Sequence, residues 1–105
     1  MSARALSSAE VFARLSELPD WKLVDGRLAR ELRFLDFKEA LRFMNAVGEE
    51  AERMQHHPEW KNVYNRLSIE LVTHDASPPK GALTELDFAL GLFIERLLPR
   101  FKQQG

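Results

Sequence analysis

Cysteine is absent from this chain of 105 residues. That excludes disulfides, thiolate metal sites and a cysteine nucleophile. No stretch approaches the roughly 20 consecutive apolar residues of a membrane-spanning helix. The segment from Met1 to Ala9 lacks the long apolar core of a secretory signal. Neither sign of charge dominates, with 15 Lys and Arg against 16 Asp and Glu and a net charge of −1. Without a basic excess, neither nucleic acid nor an anionic membrane is expected as a primary partner. A glycine-rich phosphate cradle, a linker and a low-complexity stretch are also missing. What remains is 45% hydrophobic and 30% charged, the balance of a folded, soluble protein. The expectation is one domain over residues 1–105, cytoplasmic, with a single modest core.

Ser7-Ser8-Ala9-Glu10 reads as a capping box, with Ser7 as N-cap of a short helix that Pro19-Asp20 ends. Trp21 to Val24 and Arg27 to Phe34 read as strands joined by Asp25-Gly26, a pair that tolerates the positive φ of a tight hairpin turn. Asp36 and Glu39 form a second capping box. Phe37, Ala40, Leu41, Met44, Val47, Ala51 and Met54 then trace one face of a long helix from Phe37 to Met54. Trp60 to Tyr64 and Leu67 to Thr73 read as a second hairpin turning at Asn65-Arg66, with Tyr64 on the buried face beside Leu67, Ile69 and Leu71. Ala76 to Gly81 is a loop by composition. Thr84 and Asp87 open a last helix that runs to Leu98. The fold class is therefore α+β: α-β-β-α-β-β-α, a four-stranded antiparallel sheet with helices packed on one face.

The last helix is apolar nearly all round. Phe88, Leu92 and Ile94 do not fit against one sheet together with Leu90, Phe93 and Leu97. It is either a tightly wrapped core helix or a subunit interface, and the interface is the expected reading.

All three histidines, His56, His57 and His74, flank the second hairpin. Histidine exchanges protons near neutral pH because its unperturbed pKa is roughly 6.5. With the turn at Asn65-Arg66, Trp60 lies opposite Leu71 and His57 opposite His74, and all three histidines are expected to converge. Three readings stand on the residues alone. Histidines can be plain surface or hydrogen-bonded side chains. They can ligate zinc or copper with Glu59 or Asp75, although adjacent residues on extended backbone point to opposite sides. They can also carry metal-free acid–base catalysis, the chemistry best matched to a chain with no base-positioned nucleophile. Trp60, at the strand start beside the histidines, is placed at the border of a pocket.

The block His56-His57-Pro58-Glu59-Trp60-Lys61-Asn62-Val63-Tyr64-Asn65, the strand ending Thr73-His74 and the helix entry Leu83-Thr84-Glu85-Leu86-Asp87 closely resemble the pterin-4a-carbinolamine dehydratase family. That family is also known as the dimerisation cofactor of a homeodomain transcription factor. The resemblance covers nearly the whole chain and implies the same element order. It implies dehydration of 4a-hydroxytetrahydropterin to quinonoid dihydropterin and water, which recycles the pterin used by aromatic amino acid hydroxylases. It implies His56, His57 and His74 as the catalytic set. Pro58, Thr73, Asp75 and Ala76 would border the pterin, with Glu52 supporting the site. It implies neither metal nor organic cofactor, and a homodimer or homotetramer. Animal members bind a transcription factor through a helical surface, so an interaction module is the competing class. One departure stands out: around Ser77-Pro78-Pro79-Lys80 the chain is several residues longer than many members.

Overall fold

The computed structural model describes residues 3–104. Helix α1 spans Ser8–Arg14 and continues as a 3-10 turn, Leu15–Glu17. Strands β1 (Lys22–Val24) and β2 (Arg27–Arg33) follow, then helix α2 (Phe37–Met54). Strands β3 (Glu59–Val63) and β4 (Arg66–Leu71) precede helix α3 (Glu85–Leu97). The order and the α+β class are those expected. The strands form one antiparallel sheet, β1-β2-β4-β3, with β2 and β4 central.

Local chemistry explains most boundaries. Ser7 Oγ accepts from the Glu10 N–H and the Glu10 carboxylate accepts from the Ser7 N–H, which completes the first capping box. Asp25 and Gly26 both take positive φ, 51° and 77°, as a tight right-twisted hairpin requires. Asp36 caps α2 by accepting from the Glu39 N–H at 2.9 Å. The reciprocal half of that box is not made: Glu39 instead accepts from the Lys102 N–H at 2.7 Å and pairs with Arg42. The C-terminal chain that packs beside α2 competes for the carboxylate and wins it.

Leu28, Leu32, Leu67, Ile69 and Leu71 are buried on the helix side of the sheet, with Glu31, Ser68 and Glu70 on the other side. The α2 face differs from the expected one. Ala40, Phe43, Val47 and Ala51 are buried, whereas Phe37 and Leu41 are exposed at 44% and 42%. Phe43 takes the core position because Phe34 and Phe101 stack around it, at 4.9 Å and 5.4 Å between centroids.

The most apolar positions of α3 need no partner subunit to cover them. Phe88, Leu90 and Ile94 are fully buried within one chain, and Leu92, Phe93 and Leu97 are half-buried against the core. The missing cover comes from the end of α1 and the residue that follows its 3-10 turn. Leu18 lies so close to Gly91 that a Cβ there would meet Leu18 Cδ1 at 2.9 Å, and the Arg14 guanidinium sits 4.8 Å from the Phe88 ring centroid. On the sheet side, Glu95 accepts from Trp21 Nε1 at 2.8 Å and from Arg30 Nε at 3.0 Å. Among the described residues no helix is long and apolar enough to cross a membrane.

Candidate active site

The register of the second hairpin differs from expectation by two residues. Trp60 pairs with Ile69 and Val63 with Arg66, so Tyr64-Asn65 is the turn. Tyr64 takes φ 53°, rare for an aromatic residue, and is 63% exposed rather than core. Two asparagines hold this conformation. Asn62 Nδ2 donates to the carbonyls of Tyr64 and Arg66, at 3.0 and 2.9 Å, and buried Asn65 donates to the Phe34 carbonyl at 2.9 Å. These bonds go to main-chain carbonyls set by the sheet, which sequence propensity does not show. A slip of two keeps side-chain parity, so Trp60 still faces the helices.

The cross-strand pair of His57 with His74 does not form. Pairing of β3 begins at Glu59, opposite Glu70. Past Leu71 the chain leaves β3: the Thr73 N–H donates to the Ala82 carbonyl at 3.0 Å, and the Gly81 N–H to the His74 carbonyl at 3.3 Å. The longer loop is thus stitched back onto β4's extension. Its start is tied to the N-terminal segment by the Ser77 N–H donating to the Ala3 carbonyl at 2.7 Å.

The two histidine segments are joined differently, through a buried carboxylate. Gln55 ends α2 in the left-handed conformation, φ 54°, and the His56 N–H donates to the Ala51 carbonyl at 3.0 Å. That turn sends the His56 ring inward, and Pro58 prevents the helix from resuming. His56 Nε2 lies 2.6 Å from Asp87 Oδ1. Asp87 Oδ2 accepts from the Thr73 hydroxyl at 2.7 Å and from the Thr84 N–H at 2.9 Å. The Thr84 hydroxyl lies 2.8 Å from that of Thr73. A carboxylate can only accept, so Nε2 of His56 carries the hydrogen when Asp87 is ionised. His56, Thr73, Thr84 and Asp87 are all buried, and every member is satisfied. In the sequence, Asp87 is legible as a helix-capping residue within the Leu83–Asp87 entry, with no sign of a contact to His56. Nothing local marks its second role, because its partners come from positions 31 and 14 residues away.

The other two histidines point to solvent. His57 Nε2 lies 2.7 Å from Glu52 Oε1, and His74 Nε2 lies 2.7 Å from Glu59 Oε2. Their side chains are 58% and 67% exposed, against 8% for His56. Each therefore has a carboxylate orienting one ring nitrogen and leaving Nδ1 available. Glu59 also receives Arg27 Nη1 at 2.9 Å. That guanidinium first, and His74 second, hold its carboxyl below the usual carboxylate range. Each histidine faces a different carboxylate, and among the described residues no three His, Asp or Glu side chains converge as metal ligands do.

Of the remaining expected residues, Glu52 and Trp60 line one open depression of about 730 Å³ on the α2 surface, together with Leu41, Met44 and Gly48. Pro58 is half-buried, Asp75 exposed and Ala76 buried. Thr73 is fully buried in the Asp87 network, and its N–H is taken by the Ala82 carbonyl.

Known proteins share this architecture. The family profile described as Pterin 4 alpha carbinolamine dehydratase matches residues 4–97. A protein of Burkholderia multivorans provisionally named pterin-4-alpha-carbinolamine dehydratase is 51% identical over 92 residues, 86% of each chain. One of Solibacter usitatus with the same provisional name is 47% identical over 92 residues, covering 88% of this chain and 93% of its own. The crystal structure of a transcriptional coactivator/pterin dehydratase from Brucella melitensis superposes with a TM-score of 0.82 at 33% identity, over 90% of this chain and 98% of its own. With the fold, nearly the whole length and the dehydratase-named relatives in agreement, this chain belongs to the pterin 4 alpha carbinolamine dehydratase family.

Proposed function

We propose that the protein is a hydro-lyase that dehydrates 4a-hydroxytetrahydropterin to quinonoid dihydropterin and water, by histidine acid–base catalysis. Expelling hydroxide from C4a needs an acid to protonate the leaving oxygen. Donation from the neighbouring ring nitrogen forms the carbon–nitrogen double bond, and a base accepts the ring proton. The observation that carries this reading is the pair of exposed imidazoles, His57 and His74, each with a carboxylate on Nε2. They leave from two segments locked together by Asp87. Two histidines in opposite protonation states supply both proton transfers near neutral pH. His56, buried in the lock, completes the set by holding the His57 segment in place. Pro58, Trp60, Glu52 and the segment Thr73, Asp75 and Ala76 border the pterin, whose flat donor–acceptor edge suits the main chain there.

The family resemblance supports the biological setting: a single cytoplasmic domain, assembled as a homodimer or homotetramer, that regenerates the pterin of an aromatic amino acid hydroxylase. The test is dehydration of synthetic 4a-hydroxytetrahydropterin followed by ultraviolet absorbance, with and without exhaustive chelation. Accelerated dehydration that survives chelation is expected. No acceleration over the buffer rate would sink the proposal, and loss on chelation with recovery on adding zinc would replace it by a metal mechanism. The Brucella melitensis relative is also titled a transcriptional coactivator, which favours an interaction module as second reading. Such a protein would keep its biological activity after His57 and His74 are replaced.

A further inference from the structure

The face of the sheet away from the helices carries a row of charges that ends on a proposed catalytic histidine. Glu59 of β3 and Glu70 of β4 are direct cross-strand partners. Like charges in that position repel and turn each other aside. Arg27 of β2 resolves the conflict: its Nη1 lies 2.9 Å from Glu59 Oε1 and 3.2 Å from Glu70 Oε1. Arg27 is itself well anchored. It follows directly on the tight Asp25-Gly26 turn and pairs with Val24 across the hairpin. With Oε1 committed to the guanidinium, Glu59 presents Oε2 to His74 Nε2 at 2.7 Å. Among the described residues this is the only side-chain hydrogen bond made by the His74 ring, whose side chain is otherwise 67% exposed on the chain beyond β4.

We propose that Arg27 is a positioning residue for the dehydratase chemistry: through Glu59 it holds the His74 imidazole in its working orientation. This rests on the reading that His74 transfers a proton to or from the pterin. An exposed ion pair contributes little to folding, so the value of the Arg27–Glu59 pair lies in geometry. A proton-transfer group that loses its orientation lowers turnover even when substrate still binds.

The test uses the full chain as purified, comparing wild type with Arg27→Gln, Arg27→Lys, His74→Ala and the Arg27→Gln/His74→Ala double variant. Arg27→Gln is expected to lower kcat by about tenfold with KM changed less than about twofold, the split of a misplaced proton-transfer group. Its thermal midpoint should shift by less than about 8 °C, the scale of a surface ion pair. Arg27→Lys keeps the charge and should recover part of the loss. In the His74→Ala background Arg27→Gln should cost nothing more, because the group it acts through is gone. Nitrogen-15 spectra of the His74 ring should change in Arg27→Gln in the same sense as in Glu59→Gln, independently of activity. Wild-type kcat in Arg27→Gln, an equal loss in the His74→Ala background, or an unmoved ring spectrum would each overturn the proposal. Should Arg27→Gln fail to fold, Arg27→Lys carries the same comparisons. Wild-type turnover in His74→Ala is a separate result: it removes His74 from the reaction and the underlying reading with it.

Discussion

His57 and His74 sit at the surface with a carboxylate on Nε2, whereas His56 is buried against Asp87. Equal residue types therefore stand in unequal surroundings. Replacing His57 or His74 by Ala should cut turnover by about ten- to ten-thousand-fold, the span of a general acid or base, with the urea midpoint unchanged. Steady-state rates with the synthetic carbinolamine check this, and wild-type turnover would remove that residue from the reaction. Asp87 is different in kind. Asp87→Ala strands the His56 ring nitrogen and the Thr84 N–H inside the protein and leaves the Thr73 hydroxyl only that of Thr84. The expected cost is about 2–5 kcal/mol of stability, that of two buried polar groups left without partners, read from urea unfolding. A loss below about 1 kcal/mol would mean that water reaches these groups and that the lock is loose.

Among the elements, the hairpin of β3 and β4 tests the structure most sharply, because sequence and structure place Tyr64 oppositely. As a turn residue at positive φ with 63% exposure, Tyr64 carries a backbone cost of about 1–2 kcal/mol. Tyr64→Gly relieves it and should leave stability equal or higher by up to about 1 kcal/mol. In the register with Asn65-Arg66 as the turn, Tyr64 is a core aromatic and the same change costs about 3–5 kcal/mol. Chemical denaturation separates the two outcomes. The long helix α2 was legible from Phe37 to Met54, since the cap at Asp36 and the helical apolar period are local. Its buried face was not, because Phe43 is chosen by Phe34 and Phe101, which arrive from a strand end and the C-terminal segment.

For the molecule as a whole, α3 gives little reason to self-associate, since Arg14 and Leu18 help cover it and only Leu92, Phe93 and Leu97 stay half-buried. The exposed apolar residues of α2 supply one instead. Phe37 and Leu41 are 44% and 42% exposed, and Leu41 lines the open depression with Met44 and Trp60. Light scattering at micromolar concentration should give a multiple of the 12.1 kDa chain, and Leu41→Glu should lower it by burying a charge at the contact. A wild-type mass near 12.1 kDa would end the oligomer proposal, and an unchanged mass in Leu41→Glu would move the contact elsewhere.

The sequence by itself determined the α+β class, the order of the elements, the helix caps at Ser7 and Thr84 and the turn at Asp25-Gly26. Each of these depends on residues within a few positions of one another, or on hydrophobic periods of 2 and 3.6. It also carried the block from His56 to Asn65 by which the family is legible. The tertiary structure decided everything that rests on distant partners. The Tyr64 turn depends on Asn65 meeting Phe34. The cover of α3 depends on Leu18 reaching Gly91. The different surroundings of the histidines depend on which carboxylate each one meets, Glu52, Glu59 or Asp87. A one-dimensional pattern states which side chains are available, and only the folded chain decides which of them lie within a hydrogen bond of each other.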